Sequence, residues 1–496
     1  MKEYKLKNVK NNNENSIRID LKGNITYNIK KGGRFIMRQV VRLTRLEIEN
    51  IKNVQHGELE FAQGDKGSVL GIYGQNGSGK TVVIDCMVLL KCLFSGREIP
   101  PHFYYYINCL ADTAHVKYGF MIQTDAGEIE AEYEVELLKN GQSSFCISYE
   151  KLSMKECIEG KRLTPVFEYH KGSSELFRPL KNLEFFRKNL ESMVALGMAQ
   201  QITEGFNEER QMPQVGSFLF SKKAQETFSK GKGEIEKLSN LCNILQNYGL
   251  YNLAVIENAH YGLLALNLDT IPVNIDWPDS MKVKGSGVML HLTDINVVPK
   301  EIFPYVSSTI QQINIVMAAL IPEIQIEIYN AFDKLMENGK DGVQFEIITI
   351  RSGVRVPLLY ESAGIKKLIS ICSNLVACYN RGAYCLVVDE LDSGIYEYLL
   401  GECIEVMQEK AKGQLIFTSH NLRPLEVLKN ESLIYTTVNP KNRYIKSVNI
   451  KNTQNKRLSY LRSIKLGGQK EKLYNETNIY KMELAMKRAG KVGLHD

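Results

Sequence analysis

The sequence predicts an α/β protein: a mixed sheet carrying a phosphate-binding loop, a flanking antiparallel sheet and a helical insertion. Three observations predict it. Val69 to Leu90, VLGIYGQNGSGKTVVIDCMVLL, is an apolar run, a turn with three glycines and a second apolar run entered through Lys80-Thr81. Cys385–Val388 and Gln414–Thr418 are short uninterrupted apolar runs, the pattern of strands buried on both faces. From His115 to Leu152, HVKYGFMI, EIEAEYEVELL and SFCISYEKL are β-like segments separated by DAG and KNGQS turns, as in antiparallel strands.

Composition limits the function classes. A chain of 496 residues, 44% hydrophobic and 24% charged, has the balance of a globular protein with a substantial core. No window approaches the roughly 18 apolar residues of a membrane span, and MKEYKLKNVKNNNENS lacks the apolar centre of a secretion signal. A cytoplasmic protein with no membrane partner is expected. The ten cysteines form no CxxC pair, and Cys86, Cys92, Cys372, Cys378 and Cys385 sit inside apolar runs, which argues against disulfides or a zinc site.

Charge is uneven. Residues 1–36 carry 9 Lys/Arg against 3 Asp/Glu, and residues 437–496 carry 14 against 4, which leaves the remaining body near −10 within a total of +6. Basic ends suit nucleic-acid phosphates or an acidic partner, and equally a solvated surface.

In chain order, residues 1–36 read as a flexible basic arm, ending just before Met37. Residues 37–170 hold the glycine turn, with Ser68–Tyr73 as strand and Lys80–Phe94 as helix, followed by the antiparallel segments. The aromatic run Tyr104-Tyr105-Tyr106 suits packing at a sheet margin or base stacking. Residues 171–295 form a helical insertion, with LKNLEFFRKNLESMVALGMA and EIEKLSNLCNILQNYGL as its helices and no sustained heptads. Residues 296–436 return to the sheet through a helix with Ile310, Ile313, Met317 and Leu320 on one face. A strand alternating Ile324, Ile326 and Ile328 follows, then a hairpin around Ser352-Gly353. Residues 437–496 are a basic extension, in which EKLYNETNIYKMELAMKRAGK reads as a basic helix.

Three groups carry chemistry. Gly74-Gln75-Asn76-Gly77-Ser78-Gly79-Lys80-Thr81 fits G-x-x-x-x-G-K-[ST], in which backbone amides cradle a di- or triphosphate. Lys80 reaches the terminal phosphates of ATP, and Thr81 completes a Mg²⁺ shell. Cys385–Val388 ends in Asp389-Glu390, one carboxylate for the metal and one to orient the attacking water. Gln414–Thr418 ends in Ser419-His420, where a histidine can sense the terminal phosphate.

Together these pieces resemble ABC-type ATPases. Ser362-Ala363-Gly364 looks like their signature turn, Leu391-Asp392-Ser393-Gly394 like their D-loop, and His420 like their switch histidine. Leu46-Glu47-Ile48-Glu49-Asn50-Ile51-Lys52 resembles the opening of the SMC, Rad50 and RecF branch, which implies nucleotide contacts from Asn50 and Lys52. More narrowly, YGQNGSGKT, DELDSG and QLIFTSHN resemble AAA15-type ATPases of the OLD subfamily, many of which serve bacterial anti-phage systems. The resemblance implies an ABC-type head that pairs head to tail around ATP, with Ser362, Gly364 and Asp392 reaching the partner's nucleotide.

Two departures, Ile365 where the family has Thr and Ile395-Tyr396-Glu397 where it has His-Pro, imply slow or partner-dependent hydrolysis. Gln123 is a glutamine-loop candidate by spacing. The 76 residues after His420 contain no D-x-D and are too few for the nuclease domain of fused relatives. The expected function is therefore an ATPase scaffold or sensor controlling a separately encoded nuclease or toxin, responsive to a phage-derived trigger. The alternative is a RecF/SMC-like DNA clamp. No N-K-x-D guanine motif is present, and the opening and signature do not match transporter ATPases.

Overall fold

The computed structural model describes residues 16–19, 25–28, 39–62, 67–141, 143–205, 215–257, 270–273, 288–446, 455–466, 471–474, 478–490 and 492. Most of the expected N-terminal arm lies outside the described residues. The chain divides into two units, Met1–Arg38 and Gln39–Asp496. In the first, β1 (Ser16–Ile19) and β2 (Ile25–Asn28) pair antiparallel.

The second unit opens with β3 (Val40–Ile51), β4 (Val54–Glu60), β5 (Ser68–Tyr73) and helix α1 (Lys80–Phe94). Strands β6 (Thr113–Thr124), β7 (Gly127–Lys139), β8 (Phe145–Glu156) and β9 (Thr164–His170) follow. Helices α2 (Leu180–Arg187), α3 (Leu190–Gln201), α4 (Lys222–Phe228) and α5 (Glu234–Asn247) lead to β10 (Leu253–Ile256), β11 (Thr270–Pro272), β12 (Met289–His291) and β13 (Asn296–Pro299). Then come α6 (Phe303–Leu320), β14 (Ile324–Leu335), β15 (Asp341–Arg351), β16 (Val354–Pro357) and α7 (Ala363–Asn380). The rest comprises β17 (Cys385–Val388), α8 (Glu397–Lys410), β18 (Gln414–Thr418), α9 (Arg423–Val427), β19 (Leu433–Thr436), β20 (Tyr444–Lys446), α10 (Lys456–Leu466) and α11 (Ile479–Ala489).

The central sheet has the order β10-β17-β18-β5-β19-β20, parallel except for β20. Its strands are apolar without interruption because both faces are covered. Leu70 and Ile72 of β5 enter one core, and Val69 and Tyr73 the other. The flanking sheet, β4-β3-β6-β7-β8-β9, is antiparallel throughout. In β7, Ala131, Tyr133, Val135 and Leu137 point inward, while Glu130, Glu132, Glu134 and Glu136 point outward. A third sheet, β13-β15-β14, carries β16 on β15 through a two-residue turn at Ser352 and Gly353, both with positive φ (49° and 80°).

Helix α1 lies between the first two sheets, which explains a composition apolar on all sides: every residue but Thr81 and Lys91 is buried. Phe94 packs against Phe120 and Tyr133 with ring centroids 5.6 and 5.2 Å away, and Tyr118 donates to Cys86 O at 2.6 Å. Buried Gln414 ties the sheets together, since its amide accepts from Leu43 N and donates to Leu43 O, both at 2.9 Å.

Within 171–295, α2 to α5 form a compact helical group. Buried Glu150 of β8 anchors it by accepting from Tyr133 Oη (2.7 Å), Phe218 N (2.9 Å), Leu219 N (3.2 Å) and the Ser217 hydroxyl. The same stretch also supplies β10, which pairs with β17 at the edge of the central sheet. Among the described residues, no helix is long and apolar enough to cross a membrane.

Candidate functional site

Gly74 to Gly79 connect the carboxyl end of β5 to α1, and two glycines there are needed for distinct reasons. Gly79 holds φ +92° at the helix entry, a left-handed conformation costly to residues with a side chain. Gly74 is fixed by crowding, since a Cβ there would lie 1.7 Å from Thr436 Oγ1. Ser78 Oγ donates to Gln75 O at 2.6 Å, tightening the loop; Asn76 and Gly77 stay exposed. Lys80 folds over the loop, its ammonium donating to Gly74 O (2.8 Å) and Gln75 O (3.0 Å). Burial lowers its pKa, while Asp389, Glu390 and Asp392 oppose that shift.

Across from the loop, β17 ends in the acids. Thr81 Oγ1 donates to Asp389 Oδ2 at 3.3 Å, and Thr418 Oγ1 donates to Asp389 Oδ1 at 2.6 Å. A hydroxyl and an oriented carboxylate meeting at a phosphate-loop helix are oxygen donors that fit Mg²⁺. Glu390 N donates to the same Thr418 hydroxyl at 2.7 Å, and Glu390 adopts φ +46°, uncommon for a residue with a side chain. Asp392 Oδ2 accepts from His420 N (3.1 Å) and Asn421 N (2.9 Å), joining the loops after β17 and β18. The exposed His420 lines a cavity of about 200 Å³ together with Gly74, Gln75 and Tyr460.

The turn between β3 and β4 meets the loop from the other side. Asn50 and Lys52 both have positive φ (55° and 49°). Asn50 O accepts from Asn108 N at 2.8 Å. Lys52 points into the protein, 2.6 Å from Asp85 Oδ2 and with its ammonium 3.7 Å from the centre of the Tyr106 ring. Tyr106 thus packs against this lysine, while Tyr105 is exposed. The residue of this turn that touches the phosphate loop is Asn53, whose side-chain amide donates to Gly77 O.

Two acids near the site were not anticipated from the sequence. Asp85 of α1 is buried, which raises its pKa to about 6 against the pull of Lys52. Glu257 follows β10, and the register Ile256↔Val388 sets it beside Asp389 at neighbouring strand ends. Burial, with help from Asp85 and Asp389, raises Glu257 to about 7. Gln123 does not join this group. It pairs with Val40 while His115 pairs with Glu49, so Gln123 sits at the opposite end of the β3–β6 ladder from Lys52. Spacing misled here because the long β6 strand carries Gln123 away from the site.

Ser362 caps α7, its hydroxyl accepting from Ile365 N at 3.3 Å, and is exposed. A Cβ on Gly364 would lie 1.9 Å from Gly394 O, so the turn at Ser362–Gly364 and the loop at Leu391–Gly394 are packed backbone to backbone within one chain.

The start of the basic extension supports the loop. Tyr444 donates to Gly79 O (2.7 Å), and buried Arg443 donates to Asn53 O and Thr437 O (both 2.6 Å). Tyr460 of α10 stacks on Tyr435 with centroids 5.0 Å apart. In contrast, α11 has no buried residue.

Residues 45–257 match the family model described as AAA domain. No curated protein matches the chain. Among solved structures, it is similar to an SMC head domain with an extended coiled coil bound to the C-terminal domain of ScpA, derived from Pyrococcus furiosus. The two share 14% identity with a TM-score of 0.38, covering 86% of this chain and 100% of that one. It is also similar to the SMC head domain from Thermotoga maritima (14% identity, TM-score 0.32, covering 82% and 99%). A third similar structure is the recombination mediator protein RecF with ATP (15% identity, TM-score 0.32, covering 77% and 94%).

Proposed function

We propose that this chain is an ABC-type ATPase that binds and hydrolyses ATP, pairs head to tail with a second copy around the nucleotide, and acts as scaffold or sensor in a bacterial anti-phage complex. The observation that carries the ATPase reading is the convergence of Lys80, Thr81, Asp389 and Thr418 at the carboxyl ends of β5, β17 and β18. In this reading residues 37–170 and 296–436 are the two halves of the head, 171–295 its insertion, and 1–36 and 437–496 its basic ends.

The phosphate-loop amides of Gly74, Asn76, Gly77, Ser78 and Gly79 hold the phosphates, and Lys80 leaves the loop carbonyls to neutralise the terminal one. Asn50 approaches the nucleotide from the β3–β4 turn, and Lys52 joins it only by leaving Asp85. Thr81 and Asp389 would hold Mg²⁺, which when bound would supply charge neutralisation at the phosphates. Glu390 orients the attacking water and accepts its proton, and His420 contacts the phosphate that leaves.

Ser362, Gly364 and Asp392 serve the partner's nucleotide. Support comes from exposed Ser362 and from Tyr360 and Tyr396, 76% and 69% exposed, on the two segments that meet at Gly364 and Gly394. Loss of the terminal phosphate removes the link between copies, so hydrolysis resets an assembly. The OLD-type motifs support a defence role, in which a separately encoded nuclease or toxin is held until a phage component releases it.

A RecF- or SMC-like DNA clamp is the second reading. It is favoured by α11, wholly exposed and bearing Lys481, Lys487 and Arg488. Affinity purification of Glu390→Gln with ATP retained separates the two. A stoichiometric nuclease or toxin supports the defence complex; duplex DNA with salt-sensitive affinity and no protein partner replaces it with the clamp. Failure of the wild-type chain to bind ATP overturns both.

A further inference from the structure

Helix α7 carries two lysines one turn beyond its cap. Lys366 runs along the surface toward Leu359 O. Lys367 turns inward and is 3% exposed, on a helix whose residues Leu368, Ile369, Ile371 and Cys372 are buried as well. A lysine in such a place requires partners for its charge. Lys367 Nζ donates to the backbone carbonyl of Glu390 at 2.5 Å, and its ammonium interacts electrostatically with Asp392, Glu390 and Asp389.

Glu390 is the residue held at φ +46°, so its backbone needs support from its surroundings. Its peptide groups are gripped on both sides. The amide donates to Thr418 Oγ1 at 2.7 Å, while the carbonyl accepts from Lys367 and from Ser393 N at 3.0 Å. Thr418 belongs to β18 and Lys367 to the helix headed by Ser362.

We propose that Lys367 is a positioning residue for Glu390: its buried ammonium fixes the backbone from which that carboxylate projects and ties α7 to the acidic loop. The inference rests on the reading of Glu390 as the residue that orients the attacking water. Its consequence is that a shift of Ser362, on engaging a partner's nucleotide, is passed to the Glu390 of the same chain through this ammonium–carbonyl bond, beside the Gly364–Gly394 contact.

The test uses the full-length wild type, Lys367→Met, Lys367→Arg and Glu390→Gln. Affinity for a non-hydrolysable ATP analogue, kcat and KM are measured for each. Met fills the same channel without a donor, so Lys367→Met retains analogue affinity and KM within about twofold while kcat falls roughly 10- to 100-fold, the scale of a misplaced reacting group. Lys367→Arg, which keeps a charged donor, recovers most of the rate. The inference is overturned by a Lys367→Met variant as fast as wild type, by a rate loss matched by loss of analogue binding, or by Lys367→Arg as slow as Lys367→Met. Wild-type hydrolysis that persists in Glu390→Gln, or wild-type binding without hydrolysis, instead removes the underlying reading of Glu390, and this inference with it.

Discussion

Gly364 and Gly394 lie against each other so closely that a Cβ on the first would sit 1.9 Å from the carbonyl oxygen of the second. One lies in the turn that opens α7, the other in the loop after β17, and their contact makes the two segments one unit. Gly364→Ala therefore has to push that loop aside. The expected cost is roughly 1–3 kcal/mol of stability, seen as a lower melting temperature in a chain that still binds ATP at its own phosphate loop. A variant as stable as wild type would mean that the two turns move independently.

The Thr418 hydroxyl serves both acids at once, donating to Asp389 and accepting from Glu390 N. Thr418→Val keeps the shape and deletes both bonds. Stability should fall by about 1–3 kcal/mol. Hydrolysis should fall by roughly tenfold or more, with a raised Mg²⁺ requirement, because Asp389 is no longer oriented toward Thr81. A magnesium titration of the steady-state rate checks this.

Gly74 and Thr436 offer a compensating pair. Gly74→Ala alone drives a methyl group to 1.7 Å from Thr436 Oγ1 and should abolish ATP binding. Thr436→Ala removes the nearest obstacle, so the double variant should recover binding that Gly74→Ala lacks. Isothermal titration of the three variants decides between this steric account and an intrinsic need for glycine at that position.

Much of the site was legible because its signals are local. The run Ser68–Tyr73, the glycine turn and the helix from Lys80 are contiguous, and the structure has β5 and α1 with those limits. Asp389 and His420 were found because each follows a short apolar run. What stayed hidden is non-local. Nothing in LAVI, within a mostly helical stretch, shows that it lies beside CLVV, so Glu257 was not placed next to Asp389. Lys52 was expected to face nucleotide, yet its partner here is Asp85, a buried acid on an apolar helix whose periodicity gives no hint of a cation beside it. Arg443 reads as part of a basic tail by composition, whereas it is buried and braces Asn53.

Asp85 also predicts a pH dependence. Its folded pKa, about 6, lies above the ordinary value of 3.8, so the folded state holds this proton more tightly than the unfolded chain. Its contribution to stability is fully present below pH 3.8 and is lost as pH rises through about 6. The total is about 3 kcal/mol. Asp85→Asn should flatten the stability curve between those pH values, as followed by urea unfolding at a series of pH values. An unchanged slope would assign the titration to another group, with Glu257, raised to about 7, the nearest.

The place of β5 in the central sheet has a consequence for synthesis. Its two neighbours are β18 and β19, so Ser68 meets Gln414 and Gly71 meets Leu433 only when most of the polypeptide has been made. Until then the strand that leads into the phosphate loop has two open edges and an apolar helix at its end, the features that favour wrong pairing between chains. Closure of such distant pairs is slow. A growing chain therefore carries a complete phosphate-loop sequence long before it has a sheet to hold that loop in shape, and ribosome-bound fragments ending before Gln414 should be clients of chaperones that shield exposed strands.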